Sequence, residues 1–200
     1  MKGYHYIKRG IDIILSGMAI VILSPLLLFL CIAIKLDTPG PILFKQKRVG
    51  IHRSFFQIYK FRTMRIDTPK DVPTHMLENP EQYITKVGKF LRKTSLDELP
   101  QIFNIFKGEM SIVGPRPALW NQDDLVAERE KYGANDVTPG LTGWAQINGR
   151  DELEIPDKAR LDGEYVKHLG PWMDLKCFLG TIGSAVSYTH LRAHETCADL

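Results

Sequence analysis

Two hundred residues, less an apolar opening of about thirty-six, leave one soluble domain of ordinary size and require no second. Three cysteines without paired spacing exclude a disulfide framework or a zinc knuckle and suit a reducing compartment. The net charge of +3 is unevenly spread: Lys35 to Arg65 holds eight basic residues and one acidic, +7, which leaves −4 for the remainder.

Ile13 to Ile34 is twenty-two residues without a charge, long enough at about 1.5 Å per residue to cross a hydrocarbon core of about 30 Å. Two features argue for a re-entrant helix over a single kinked span. Ser24-Pro25 lies at its centre, where proline removes a backbone hydrogen bond and the serine hydroxyl can take the freed carbonyl. Basic residues also flank it on both sides, Lys2, Lys8 and Arg9 before and Lys35, Lys45, Lys47 and Arg48 after, so both ends carry the cytoplasmic signature. A cleaved signal peptide is set aside, because the run exceeds the usual 7–15 residues and Lys35 to Pro41 offers no small-x-small site.

Asp37-Thr38-Pro39-Gly40-Pro41 is turn chemistry. Ile42 to Phe44 and Phe55 to Phe61 read as a β-hairpin around Val49 to Arg53, with interleaved basic and aromatic residues that suit a membrane surface; nucleic acid is set aside. Asp67 to Pro80, with three prolines, reads as a surface loop or a lid. Ile84, Val87, Phe90 and Leu91 then share a helix face among Lys86, Lys89, Arg92 and Lys93, which fits either an interfacial helix or one packed on a core. Ser95 and Glu98 have capping-box spacing, which would put Asp97 and Glu98 in the first turn of an apolar helix, whether as cap or as chemistry.

Gly114-Pro115-Arg116-Pro117 is a rigid bend presenting one arginine, fit for a phosphate or for a structural turn. Thr138 to Arg150 packs three glycines, a tryptophan and two amides into a segment whose backbone must approach something closely. Pro171 to Ser184 spaces Trp172, Leu175, Phe178, Leu179 and Ile182 as a closing amphipathic helix.

Ser24-Pro25, Lys60-Phe61-Arg62-Thr63-Met64, Ser95 to Leu99, Gly114 to Pro117, Pro139 to Trp144 and Gln146 to Arg150, in this order, resemble the monotopic bacterial phosphoglycosyl transferases over about Ile7 to Ala185, in their small form. That resemblance implies an α+β, predominantly helical fold: a re-entrant membrane helix over 1–36, then a catalytic domain over 37–187 with a small β-hairpin and interfacial amphipathic helices. It implies transfer of a sugar 1-phosphate from a UDP-sugar to a polyprenol phosphate, most often undecaprenyl phosphate, with release of UMP and with Mg²⁺ as cofactor. Asp97 would be the nucleophile, through a phosphoryl-aspartate, and Glu98 the neighbouring acid/base; both would serve the metal. Lys60, Arg62, Arg116, Arg150 and Asp162 would face the substrate and its phosphates. The chain would sit at the cytoplasmic face of the bacterial inner membrane, with a homodimer left open. From Tyr188 the sequence resembles no part of that family, and 188–200 reads as a non-native tail from adapter sequence; a zinc site from His190, His194 and Cys197 is set aside. Two rivals stand: a glycosyl transferase that releases UDP, and a non-catalytic membrane-anchored interaction protein.

Overall fold

The computed structural model describes residues 2–68, 80–149 and 153–183. The expected lid falls largely on 69–79 and the tail on 188–200, both outside the described residues.

Helix α1 runs Lys2–Asp37, 36 residues with Pro25 inside it. Pro25 cannot donate to the carbonyl of Val21, and the Ser24 hydroxyl donates to that same oxygen at 2.8 Å. One stripe of α1 packs on the rest of the chain: Asp12, Ser16, Ile20, Leu23, Leu27, Leu30 and Ile34, at steps of four and three. The opposite face leaves large apolar side chains uncovered, among them Ile14, Val21, Ile22, Leu28 and Phe29.

Both ends of α1 are tied to the same body. Near its start, Lys8 pairs with Asp174 at 2.6 Å, Tyr4 donates to Asp174 at 2.7 Å, and Arg9 donates to the carbonyls of Ile105 and Phe106 at 2.6 and 2.7 Å. Lys8 and Arg9, which the sequence offers as membrane-flanking charges, thus have protein partners. At its end, Asp37 accepts from the Val87 amide at 3.1 Å, and Lys35 donates to Gly40 O at 3.1 Å.

The hairpin forms as expected and extends further along its first strand: β1 is Leu43–Val49 and β2 is Phe55–Phe61, antiparallel, with Phe44 opposite Lys60 and Arg48 opposite Phe56. Helix α2, Lys86–Thr94, is capped by Thr85, whose side chain accepts from the Gly88 amide. Val87 and Leu91 face the core, but Phe90 is 55% exposed, so the single face expected from spacing is divided between protein and surface.

The capping box does not form. Ser95 is the left-handed residue that ends α2 (φ 56°), and its side chain caps nothing; Leu96–Glu98 is a 3₁₀ turn before α3, Gln101–Lys107. Ser95 cannot adopt both the αL conformation that closes one helix and the extended one that opens the next.

Downstream, β3 (Ser111–Val113) and β4 (Gly140–Thr142) pair in parallel, and helices α4 (Asp123–Glu130), α5 (Trp144–Ile147) and α6 (Ile155–Lys167) pack around them, followed by α7 over 171–183. The glycines read as a close approach do approach something: a Cβ on Gly140 or Gly143 would collide with the backbone of Gly114. Helix α7 is present, and the apolar residues that the spacing gathers lie on its exposed side. Met173 and Cys177 are buried against Val113 and Tyr165, while Trp172, Leu175, Phe178, Leu179 and Ile182 are exposed. Tyr165 decides the inward face, because its buried hydroxyl donates to Asp174 at 2.7 Å and so claims that side of α7.

The main core lies between α1, β2, α2 and α3, around Leu27, Leu30, Ile34, Phe61, Leu91 and Ile102. Asn104 of α3, fully buried, stands in for a missing strand at the edge of β2: it accepts from the Tyr59 amide at 3.0 Å and donates to Gln57 O at 2.8 Å.

Candidate functional site

Lys60 lies near the end of β2, Glu98 closes the 3₁₀ turn after α2, and Arg116 stands at the tip of the bend after β3. The three converge: Lys60 Nζ is 2.7 Å from a Glu98 carboxylate oxygen and Arg116 is 3.7 Å from the same oxygen. Burial alone would raise the Glu98 carboxyl, but Lys60 and Arg116, with the Lys60 hydrogen bond and Arg48 beyond, outweigh it and hold it below the ordinary glutamate value. Asp97 behaves oppositely. It forms no ion pair among the described residues, and burial, reinforced by the charge of Glu98 and opposed by that of Lys60, raises its carboxyl above the ordinary aspartate value. Two adjacent carboxylates are thereby made unlike, one neutralised by cations and one basic and unpaired.

Beside them is a cavity of about 690 Å³. Glu98, Arg48 and Arg116 line one part, Gln122, Arg129, Lys158 and Asp162 another, and Leu99, Ile102, Ile147, Phe178 and Ile182 supply apolar walls. Asp97 is not part of that lining; it adjoins it through Glu98.

Arg48 is a member that the motifs did not single out. Its guanidinium donates to Pro117 O at 3.0 Å and to Gln46 Oε1 at 2.7 Å, its Nε is buried without a partner, and burial together with Arg116 pushes its pKa down to about 10. Strand parity carries the signal for it: Arg48 lies on the hairpin face that holds Phe44 and Lys60.

The remaining residues singled out from sequence divide. Arg62 is not at the cavity: it is 6% exposed and donates to the carbonyls of Thr38 and Pro39 at 2.8 and 2.9 Å, bracketing the turn after α1. Its two terminal nitrogens are committed to backbone acceptors and its Nε is buried without a partner, so it stands apart from Lys60 and Arg116. Asp162 is at the cavity wall but 1% exposed, paired with Arg129 at 2.6 Å; burial pushes its carboxyl up against the pull of that arginine. Arg129 was also missed, although its place four residues after the buried Leu125 on α4 is a sequence-level sign of an inward arginine. Arg150 lies outside the described residues.

Among the described residues no group of three or more His, Cys, Asp or Glu side chains is placed to hold a metal. A Mg²⁺ ion, which keeps waters and takes one or two carboxylates plus substrate phosphates, fits the unpaired Asp97 carboxylate better than Glu98, whose oxygen is already engaged by Lys60 and approached by Arg116.

Comparison with known proteins gives a match to the bacterial sugar transferase family over residues 3–188. The chain is 40% identical over 189 residues to the UDP-glucose:undecaprenyl-phosphate glucose-1-phosphate transferase of Escherichia coli, covering 88% of this chain and 39% of that protein. It is 39% identical to the uncharacterized sugar transferase EpsL of Bacillus subtilis, covering 88% of this chain and 85% of that protein. It is 35% identical to the undecaprenyl-phosphate galactose phosphotransferase of Salmonella typhimurium, covering 90% of this chain and 40% of that protein. The chain thus spans about two-fifths of the Escherichia coli and Salmonella relatives and most of the Bacillus one.

Proposed function

Because the chain belongs to the bacterial sugar transferase family, we propose that it transfers a sugar 1-phosphate from a UDP-sugar to a polyprenol phosphate, undecaprenyl phosphate first among them, and releases UMP. The observation that carries the reading is the pairing of an unpaired, basic Asp97 with a Glu98 already neutralised by Lys60 and Arg116, beside a cavity large enough for a nucleotide sugar. Relatives named for glucose and for galactose stand at 35–40% identity, so the sugar is left as the variable part of the donor.

In this mechanism the Asp97 carboxylate attacks the phosphorus that bears the sugar. The new bond is Asp97 Oδ to phosphorus; the bond broken is that phosphorus to the bridging oxygen, whose electron pair leaves with UMP. An oxygen of the lipid phosphate then attacks the same phosphorus, the Asp97 Oδ–phosphorus bond of the acyl phosphate breaks, and the carboxylate is restored. Lys60, Arg116 and Arg48 offset the diphosphate charge, with Lys60 and Arg116 already gathered on Glu98. Asp97, together with the donor phosphates, would hold Mg²⁺, and the ion would supply further charge neutralisation to the diphosphate. Glu98, ionised through its cations, orients Lys60 and Arg116 and would serve as the neighbouring acid/base.

The membrane reading is re-entrant, with the domain on the cytoplasmic face. Its support is that Lys8, Arg9 and Asp12 near one end of α1, and Asp37 near the other, bond to one folded body, so both ends lie on its side. The uncovered apolar residues of α1, Phe90 of α2, and Trp172, Leu175 and Leu179 of α7 supply the surface that would contact lipid.

Incubation of the purified protein with a panel of UDP-sugars, Mg²⁺ and undecaprenyl phosphate tests the reaction. UMP and a diphosphate-linked lipid sugar are expected. Release of UDP would replace the reading with simple glycosyl transfer, and release of neither would favour a non-catalytic anchor.

A further inference from the structure

We propose that Asp12, on the membrane helix, is a positioning residue for Arg116, so that the seating of α1 sets the reach of a cation at the active site; the inference rests on the reaction proposed above and adds a residue to it.

Asp12 is 4% exposed and lies on the packed stripe of α1, where every position from Ile20 to Ile34 is apolar. A carboxylate there is costly to bury unless it has a partner. Its partner is a backbone group: Asp12 Oδ1 accepts from the Ile112 amide at 3.0 Å. Among the described residues, strand β3 pairs only with β4, through Ser111 opposite Gly140 and Val113 opposite Thr142. Alternate amides of a strand point to opposite edges, so the amide of Ile112 faces away from β4, and Asp12 provides the acceptor that a further strand would have given.

The bend that carries Arg116 comes directly after β3, and it is braced on both sides. Before the arginine, the Gly114 amide donates to Thr142 O at 2.8 Å and the Gly140 amide donates to Pro115 O at 2.9 Å. After it, Arg48 donates to Pro117 O, and the Val49 amide donates to Ala118 O, each at 3.0 Å. Arg116 stands between these braces, 3.7 Å from Glu98. That separation lies beyond the roughly 2.7–2.9 Å of a charge-assisted hydrogen bond, so a displacement of about 1 Å decides whether the guanidinium engages. Asp12 is the brace that belongs to the membrane helix. Loss of its bond frees the β3 edge four residues upstream of Arg116.

A mere staple between helix and domain would predict lost stability with no special link to Arg116. The test therefore compares Asp12→Ala, Asp12→Asn, Arg116→Ala and the double variant Asp12→Ala/Arg116→Ala, all as full chains in lipid nanodiscs. Turnover is followed with the UDP-sugar panel and undecaprenyl phosphate. Asp12→Ala is expected to lose roughly 10- to 100-fold in kcat/KM, while Asp12→Asn, whose amide oxygen still accepts from Ile112, stays within about threefold of wild type on the same reasoning. In the Arg116→Ala background the Asp12→Ala loss should vanish. Hydrogen exchange of the amides between Ile112 and Arg116 should quicken in Asp12→Ala and hold in Asp12→Asn. If Asp12→Ala does not fold, Asp12→Glu, which shifts the carboxylate by one methylene, takes its place in each comparison. Equal losses with and without Arg116, an Asn variant as slow as the Ala variant, or unchanged exchange each overturn the proposal. Should wild type itself turn over no donor, the reaction proposed above fails, and the exchange comparison alone judges the brace.

Discussion

The Glu98 carboxylate lies 2.7 Å from the Lys60 ammonium, and this contact gives two neighbouring acids different electrostatic environments. Glu98, held below the ordinary glutamate value, binds protons less tightly folded than unfolded, so it contributes stability at neutral pH that is lost as pH falls through its folded value. Asp97, raised by burial, binds protons more tightly when folded, so the stability linked to its protonated form is lost as pH rises through its folded value.

The two acids should therefore respond oppositely to loss of charge at pH 7. Glu98→Gln leaves Lys60 and Arg116 without their carboxylate and is expected to destabilise the fold by roughly 1–3 kcal/mol. Asp97→Asn removes a charge that burial disfavours and is expected to leave the unfolding midpoint equal or higher. Thermal unfolding of both variants in one detergent checks the pair; a large destabilisation by Asp97→Asn would mean that the carboxylate has a structural partner.

The pH–rate profile carries the same asymmetry. The acid limb of kcat/KM should reflect Asp97 and lie above the ordinary aspartate range, since the carboxylate must be ionised to attack. Because the charge of Glu98 helps to raise Asp97, Glu98→Gln should lower the whole profile and move its acid limb to lower pH. A limb that stays in place would assign the titration to another group.

Much of the site is local in sequence and was legible there. Lys60, the Asp97-Glu98 dyad and Arg116 sit in short stretches whose backbone chemistry could be read from prolines and neighbours, and they converge near Glu98. The hairpin was legible from its aromatic and β-branched run, and α1 from its length. The features that were not legible depend on distant partners. Ser95 has capping-box spacing, yet the need to end α2 decides its backbone. Helix α7 turns Met173 and Cys177 inward because Tyr165 binds Asp174, a relation between two helices that the periodicity of one cannot contain. Strands β3 and β4 are three residues each, too short to show any alternation. Arg62 looks like its neighbour Lys60 in sequence, and only the carbonyls of Thr38 and Pro39 distinguish them.

The Arg129–Asp162 pair at the cavity wall gives a stability prediction. Both side chains are almost fully buried, at 7% and 1% exposure, and the contact is 2.6 Å. Arg129→Met leaves an uncompensated buried carboxylate and is expected to cost about 3–5 kcal/mol, whereas Arg129→Met/Asp162→Leu should recover much of that loss. In the single variant the carboxyl of Asp162 rises further, so its deficit should grow as pH increases. Denaturant unfolding at two pH values checks this. Additive losses in the double variant would show that the two residues do not act as a pair.

Topology rests on Ser24, Pro25 and the two tethered ends of α1. Cysteines introduced near residues 3 and 52 should both be labelled only from the cytoplasmic side of intact cells. Pro25→Ala restores a donor to the Val21 carbonyl that Ser24 now serves, and should shift part of the population toward a span with its start on the far side. Periplasmic labelling of either position in the wild-type chain would defeat the re-entrant reading.

The decisive prediction concerns the donor half-reaction, because it separates covalent from direct transfer. With wild-type protein, a UDP-sugar and Mg²⁺ but no lipid acceptor, Asp97 can take up one sugar phosphate as an acyl phosphate and then has nothing to release it except slow hydrolysis. UMP should therefore appear in an amount roughly stoichiometric with enzyme, and a sugar-phosphate adduct should map to Asp97 by mass spectrometry. Asp97→Asn keeps the shape of the side chain but lacks the attacking carboxylate, so neither UMP nor adduct should form, and full turnover should fall to background. Glu98→Gln retains the nucleophile and loses the residue around which Lys60 and Arg116 gather, so the adduct should still form, but more slowly. If Asp97→Asn folds normally and keeps substantial turnover, the carboxylate is not the nucleophile, and the phosphorus must pass from donor to lipid in one step.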